Sequence, residues 1–195
     1  VSSIKFSAGG FEAKYGDKMS SVLDITYKRP RATAASLQLS MLGGSAHFEG
    51  TNKNKRLSYL VGARHKTNQY VLNAMDTKAD YIPKFSDLQT FINYDLNTNW
   101  QISFLGNISK NEYTMIPQNR DTEFGTINEA LKLTIYFEGK EVDKYETYFG
   151  ALSTTYQPST NLNLQFITSA FRTFEQENFD ILGEYWLYQL ENNLG

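Results

Sequence analysis

From Ser36 onward the chain repeatedly alternates polar and apolar residues with a period of two, the pattern of strands that present one face to an apolar environment. Ser36 to Met41 puts Leu37, Leu39 and Met41 on one side. Gly43-Gly44 offers a tight turn, and Ser45 to Thr51 can return as a second strand. Asn52-Lys53-Asn54-Lys55 marks the next turn. From Leu57 a third strand sets Leu57, Tyr59, Val61 and Ala63 against Ser58, Gly62, Arg64 and Lys66. A fourth strand, Leu88 to Tyr94, ends at Asp95 to Asn99. The fifth has the clearest alternation: Trp100, Ile102, Phe104 and Ile108 against Gln101, Ser103, Asn107 and Ser109. Beyond it lies a hairpin-like stretch at Leu131 to Phe137, with a turn at Glu138-Gly139-Lys140. Three further strands are expected at Thr147 to Tyr156, Leu162 to Thr173 and Tyr185 to Leu190.

Two regularities run through this series. The connections Asn52 to Lys55, Asp95 to Asn99 and Gln157 to Asn161 are short, whereas those at about 71–87, 110–146 and 174–184 are long. Outer-membrane barrels show this asymmetry, with short periplasmic turns and long extracellular loops. Tyr59, Tyr94, Trp100 and Tyr156 all fall near a short turn and on the apolar parity of their own strands, as a girdle at headgroup level would. The fold class expected is therefore all-β, the N-terminal part of a large antiparallel transmembrane β-barrel with about eight strands in this chain. The competing arrangement, a soluble β-sandwich, would bury Trp100 and Phe104 in a core.

Composition sharpens this picture. The chain has 195 residues, 19 Lys+Arg against 21 Asp+Glu, and no basic excess of the kind nucleic-acid binding requires. It has 13 Phe, 13 Tyr and 2 Trp, yet 21% of its residues are charged. A wall in which only alternate residues meet lipid accommodates both. No apolar run reaches the roughly 20 residues of a membrane helix. With no cysteine, disulfides, thiolate metal sites and cysteine nucleophiles are excluded.

Before Pro30 the texture differs: Gly9-Gly10-Phe11, Tyr15-Gly16 and Ser20-Ser21-Val22-Leu23-Asp24-Ile25 lead to Lys28-Arg29-Pro30. This series resembles the end of the plug domain in TonB-dependent outer-membrane receptors of the Bacteroidetes type, and Phe48 to Arg64 is similar to their first barrel strands. The plug-end motif comprises Gly9, Gly10, Tyr15, Gly16, Ser20 and Ser21. The resemblance implies residues 1–31 as the C-terminal end of a plug and 32–195 as the first barrel strands, in a bacterial outer membrane. It further implies active import of a scarce glycan, peptide or iron chelate. The partners it implies are outer-membrane lipid, the TonB-ExbB-ExbD machinery acting through an upstream segment, and a surface lipoprotein. A plugged transporter needs roughly 22 strands, so the chain is expected to be a piece of a longer one. A passive porin and a soluble all-β binding module are the alternative functions.

Candidate chemistry is sparse. His47 and His65 lie in different strands and in no nucleophile or metal motif, so no enzyme activity, catalytic residue, metal or cofactor is expected. Asp121, Glu123, Glu138, Glu141, Asp143 and Glu146 lack the ligand spacing of a calcium loop. Tyr113, Asn119, Arg120, Phe124 and Tyr136 mix aromatic and hydrogen-bonding groups in the long connections, where ligand capture is expected. Polar residues of the opposite strand face, such as Arg64, Gln101, Ser103 and Asn107, are expected to line a lumen.

Overall fold

The computed structural model describes residues 1–16, 20–75, 78–126 and 130–190. It is all-β apart from one short helical turn. Strands β1 (Ser3–Ala8) and β2 (Ser21–Thr26) form a separate antiparallel hairpin. β3 (Ala34–Ser40), β4 (Gly43–Thr51), β5 (Leu57–Thr67), β6 (Ala79–Asp95), β7 (Trp100–Pro117), β9 (Ala130–Ser159) and β10 (Leu162–Leu190) follow one another across a second sheet. β8 (Arg120–Gly125) pairs with β9 beyond the end of β7, making eight strands in all. The pairs are antiparallel, and the sheet curls into a half-barrel.

Cross-strand register assigns every side chain to a face. One row runs Leu37, Ala46, Ala63, Leu88, Ile108, Tyr148; another runs Tyr94, Ile102, Thr154. The residues between alternate onto the other side: His47, Gly62, Gln89, Asn107, Phe149. Between the Trp100 and Ile108 rows, period-two alternation is thus converted by pairing into one apolar and one polar sheet face. The buried residues Glu49, Ser58, Leu60, Asp87 and Asn93 all belong to the polar face.

Several boundaries differ from those expected. The first turn is Met41-Leu42, since Ser40 pairs with Gly43. Gly43 and Gly44 open β4 instead. Gly43 has φ +127°, and a Cβ there would stand 2.1 Å from the His65 carbonyl oxygen, so the glycine serves a close strand approach. The stretches expected as loops at about 71–87, 110–146 and 174–184 are largely strand. Among the described residues of the first, α1 (Gln69–Asn73) and the turn that follows it stand outside the strands. No turn forms at Glu138 to Lys140; Gly139, at φ +91°, lies inside β9. The expected strands at Leu162 to Thr173 and Tyr185 to Leu190 are one continuous β10. Pro83 is tolerated within β6 because the β5 pairing ends at Thr67 and Lys84, leaving no strand on that side to need its missing N–H.

Candidate functional site

The apolar sheet face is open. Leu37, Phe48, Leu88, Ile92, Phe104, Ile108, Leu152 and Phe166 are all exposed on it. Trp100 is 43% and Phe104 40% accessible, so neither lies in a core. From β4 to β9, the rows between Trp100 and Ile108 contain no charged side chain on this face. Eight residues separate those rows along β7. At about 3.3 Å per residue this is roughly 26 Å of strand, or about 20 Å along the normal at the tilt of a membrane barrel, beside an apolar band of about 25 Å in such barrels. The next row outward carries Lys110 and Glu146, paired at 3.0 Å.

Of the expected girdle residues, Tyr94, Trp100 and Tyr156 lie at the short-turn end of this face, whereas Tyr59 stands two rows in, level with Phe104. Trp100 and Tyr156 meet edge to face with centroids 5.9 Å apart, and the Trp100 indole N–H donates to Thr154 Oγ1 at 2.7 Å. Tyr94 lies across from Leu57, and Tyr59 packs on Phe48 at 5.5 Å. Tyr59 occupies the space above Gly50, where a Cβ would stand 2.4 Å from its hydroxyl.

The polar face carries a strap formed by residues 27–30, directly after β2. Tyr27 stacks on Phe91 at 4.8 Å. Lys28 Nζ donates to Glu49 Oε1 at 2.8 Å, and Glu49 Oε2 also meets His47 Nε2 at 2.7 Å. The Arg29 guanidinium forks onto both Asp95 oxygens at 3.2 and 3.4 Å, and Pro30 is buried. Phe91 and Asp95 of β6 and His47 and Glu49 of β4 share one face across the intervening β5, which makes a single docking surface. A cavity of about 310 Å³ lies beside this stack, lined by Tyr27 and Lys28 of the strap and by Leu60, Gln89 and Leu105 of the sheet. Farther out on the same face, Arg64 Nε and Nη2 reach Asp87 at 2.8 and 3.3 Å, Gln89 donates to the same carboxylate, and Gln101 donates to Asn93. Arg64, Gln101, Ser103 and Asn107 therefore occupy the face expected of them.

The plug-end motif residues surround the β1–β2 hairpin. Gly9, at φ +78°, leads the chain out of β1, and its N–H donates to the Ser20 carbonyl at 3.3 Å. Tyr15 donates its hydroxyl proton to Asp24 on β2. Ser21 begins β2 opposite Ala8. Gly10 and Gly16 have no atom within 4 Å of a Cβ position, so space does not demand glycine there.

The candidate ligand-facing residues do not converge. Tyr113 stacks with Tyr81 at 6.1 Å. Asn119 Oδ1 accepts the Phe137 N–H at 2.8 Å, and Arg120 covers the Phe137 ring at 5.6 Å, close to Tyr136. Phe124 pairs with Leu131 at the far end of β8. All but Asn119 stand on strands, and their contacts hold β6 to β7 and β8 to β9. Asp121 is bound to Lys132 at 3.0 Å, and that ammonium, with the Thr134 hydroxyl, holds its carboxyl below the usual range. The two histidines face opposite ways, His47 toward Glu49 and His65 toward Ser86. The strap contacts were missed by sequence reasoning; charge opposition of Lys28-Arg29 to Glu49 and Asp95 was the available signal. Comparison with protein-family models, with curated proteins and with solved structures gives no match.

Proposed function

We propose that these strands are part of the wall of an outer-membrane barrel belonging to a TonB-dependent type importer, with the β1–β2 hairpin as the end of its plug. The observation that carries the reading is the open apolar face, free of charge from β4 to β9 between the Trp100 and Ile108 rows and edged by Tyr94, Trp100 and Tyr156. In water such a face is an aggregation liability. Against hydrocarbon it is the stabilising surface, and the aromatic edge suits the headgroup boundary.

The importer part draws on the strap. A wall whose polar face holds the preceding segment by two ion pairs and a ring stack is suited to retaining a plug in its lumen. Strand extensions beyond the Lys110 row would stand outside the membrane as the surface on which a scarce ligand is captured. The native protein reconstituted in vesicles is expected to hold a solute gradient when no energy source is coupled to it. Free passage of small solutes would refute the gated reading and leave a passive porin. Growth of a deletion strain on a panel of glycans, peptides and iron sources would identify the cargo.

A further inference from the structure

Beyond the Ser109 row, the side of β6, β7, β9 and β10 that continues the strap face gathers carboxylates and tyrosines. Glu175 stands in the Asn111 row, Asp143 and Glu177 in the Tyr113 row, and Glu141 in the Met115 row. Tyrosines lie among them: Tyr81 stacks with Tyr113 at 6.1 Å, and Tyr145 donates its hydroxyl proton to Glu177 Oε1 at 2.8 Å. The phenols register the field of these acids. Tyr145 is pushed up to about 12, first by its hydrogen bond to Glu177, then by burial and by the charges of Glu177, Asp143 and Glu175. Burial, followed by Tyr81, Glu141 and Asp143, raises Tyr113.

Charge is sorted between the two sides of these strands. From the Asn111 row to the Pro117 row, the strap side of β6, β7, β9 and β10 carries no lysine or arginine. From the Lys110 row to the Ile116 row, the opposite side sets Lys84, Lys110, Lys140 and Lys144 against as many acids. Lys66 of β5 borders the acidic side, with β6 and β7 between it and Tyr145. Among the described residues no cation forms an ion pair with Glu141, Asp143, Glu175 or Glu177. Asp143 Oδ1 is enclosed and accepts no hydrogen bond among those residues. An enclosed carboxylate oxygen without a donor is costly, and a cationic N–H brought by a partner removes that cost.

We propose that this face docks a basic peptide, its lysine or arginine side chains reaching the four carboxylates while its apolar side chains lie on Tyr81, Tyr113 and Met115. Four residues of strand, about 13 Å, separate the Glu175 row from the Glu141 row. A single ammonium does not span that distance, and a polyamine leaves the rings without apolar contact. That the peptide is cargo rests on the importer reading given above; the docking surface does not.

Calorimetric titration of the native protein in neutral detergent tests this with a hexapeptide alternating lysine and phenylalanine, the same peptide with glutamate for lysine, and spermidine. The basic peptide is expected to bind at least about tenfold more tightly than either, and to weaken about tenfold as salt rises from about 50 to about 500 mM. Asp143→Asn combined with Glu177→Gln should weaken it about tenfold, and Glu112→Gln, on the opposite side, should leave it unchanged. The salt series needs no variant and reads the same electrostatic contact if the double variant fails to fold. Equal binding of the acidic peptide, salt-independent binding of the basic one, or a loss from Glu112→Gln as large as from the double variant overturns the proposal. Spermidine binding as tightly as the basic peptide overturns the peptide as occupant. Docking in micelles with no uptake into vesicles coupled to an energy source would refute the importer reading and not the surface.

Discussion

Replacing Phe104 with arginine places a guanidinium at the centre of the open face. Phe104 lies four residues from both Trp100 and Ile108 along β7, about 13 Å of strand from either edge of the apolar band. Its ring lies over Gly106 and near Gly150: a Cβ would stand 3.0 Å from the ring at Gly106 and 3.7 Å at Gly150. On the proposed placement against lipid, two costs add in Phe104→Arg, the lost ring contacts and the charge in hydrocarbon, and Phe104→Ala measures the first by itself. An arginine on the lipid face of a barrel costs about 2–4 kcal/mol at the midplane and about 0–1 kcal/mol near the interface. Phe104→Arg should thus exceed Phe104→Ala by about 2 kcal/mol or more, whereas Trp100→Arg should exceed Trp100→Ala by less than about 1 kcal/mol. Ser103→Arg, on the polar face, is expected to be near neutral. Denaturant unfolding of the protein in vesicles, followed by intrinsic fluorescence, reads all five variants. A cost for Phe104→Arg no greater than for Phe104→Ala, with no dependence on row, would refute the placement of this face against lipid.

Three other outcomes are expected. Gly139→Ala forces a Cβ to within 1.9 Å of the Asp180 carbonyl oxygen at φ +91°; it should cost about 1–3 kcal/mol of local stability, visible as faster amide exchange around 139–141 and 179–181 with the rows below Lys110 unchanged. The Asp121–Lys132 pair lowers the carboxyl's pKa in the folded state, so its stabilisation is complete above the ordinary aspartate range and is lost as pH falls through the depressed value. Trp186, opposite Thr134 in the same row as Asp121, should report that acid transition by its emission, and Asp121→Asn should abolish it. Removing the strap stack with Tyr27→Ala forfeits about 0.5–1.5 kcal/mol and should make a cysteine at Gln89, on the strap face, several-fold more reactive toward a water-soluble thiol reagent.

Sequence legibility varied with the environment of each strand. Where one face is apolar, from Leu57 to Ala63 and from Trp100 to Ile108, period-two alternation located the strands and assigned their faces. Past the Lys110 row that signal fades. Residues such as 138–146 show mixed charge on both sides, and alternation has no apolar face to mark. The ladder nonetheless continues, because β9 has β10 on one side and β7 or β8 on the other to satisfy its backbone. Gly43-Gly44 misled for a different reason. Glycine marks close backbone approach as well as turns, and here Met41-Leu42 supplies the turn while Gly43 lies against His65 and Lys66. The strap joins Lys28 to Glu49 across 21 positions and Arg29 to Asp95 across 66, separations that local pattern does not encode.

The most direct test of the membrane placement uses the two tryptophans. Single-tryptophan variants, Trp186→Phe retaining Trp100 and Trp100→Phe retaining Trp186, are reconstituted in vesicles of lipids brominated along the acyl chain. A Phe104→Trp variant lacking both native tryptophans completes the set. Trp100 should be quenched most by bromines near the headgroup, and the tryptophan at position 104 most by those near the chain end. Trp186 lies 14 residues beyond Arg172, which stands in the Ile108 row, about 45 Å along β10, and should be quenched by aqueous iodide alone. Iodide quenching at positions 100 and 104, with no effect of the brominated chains at either, would contradict the account.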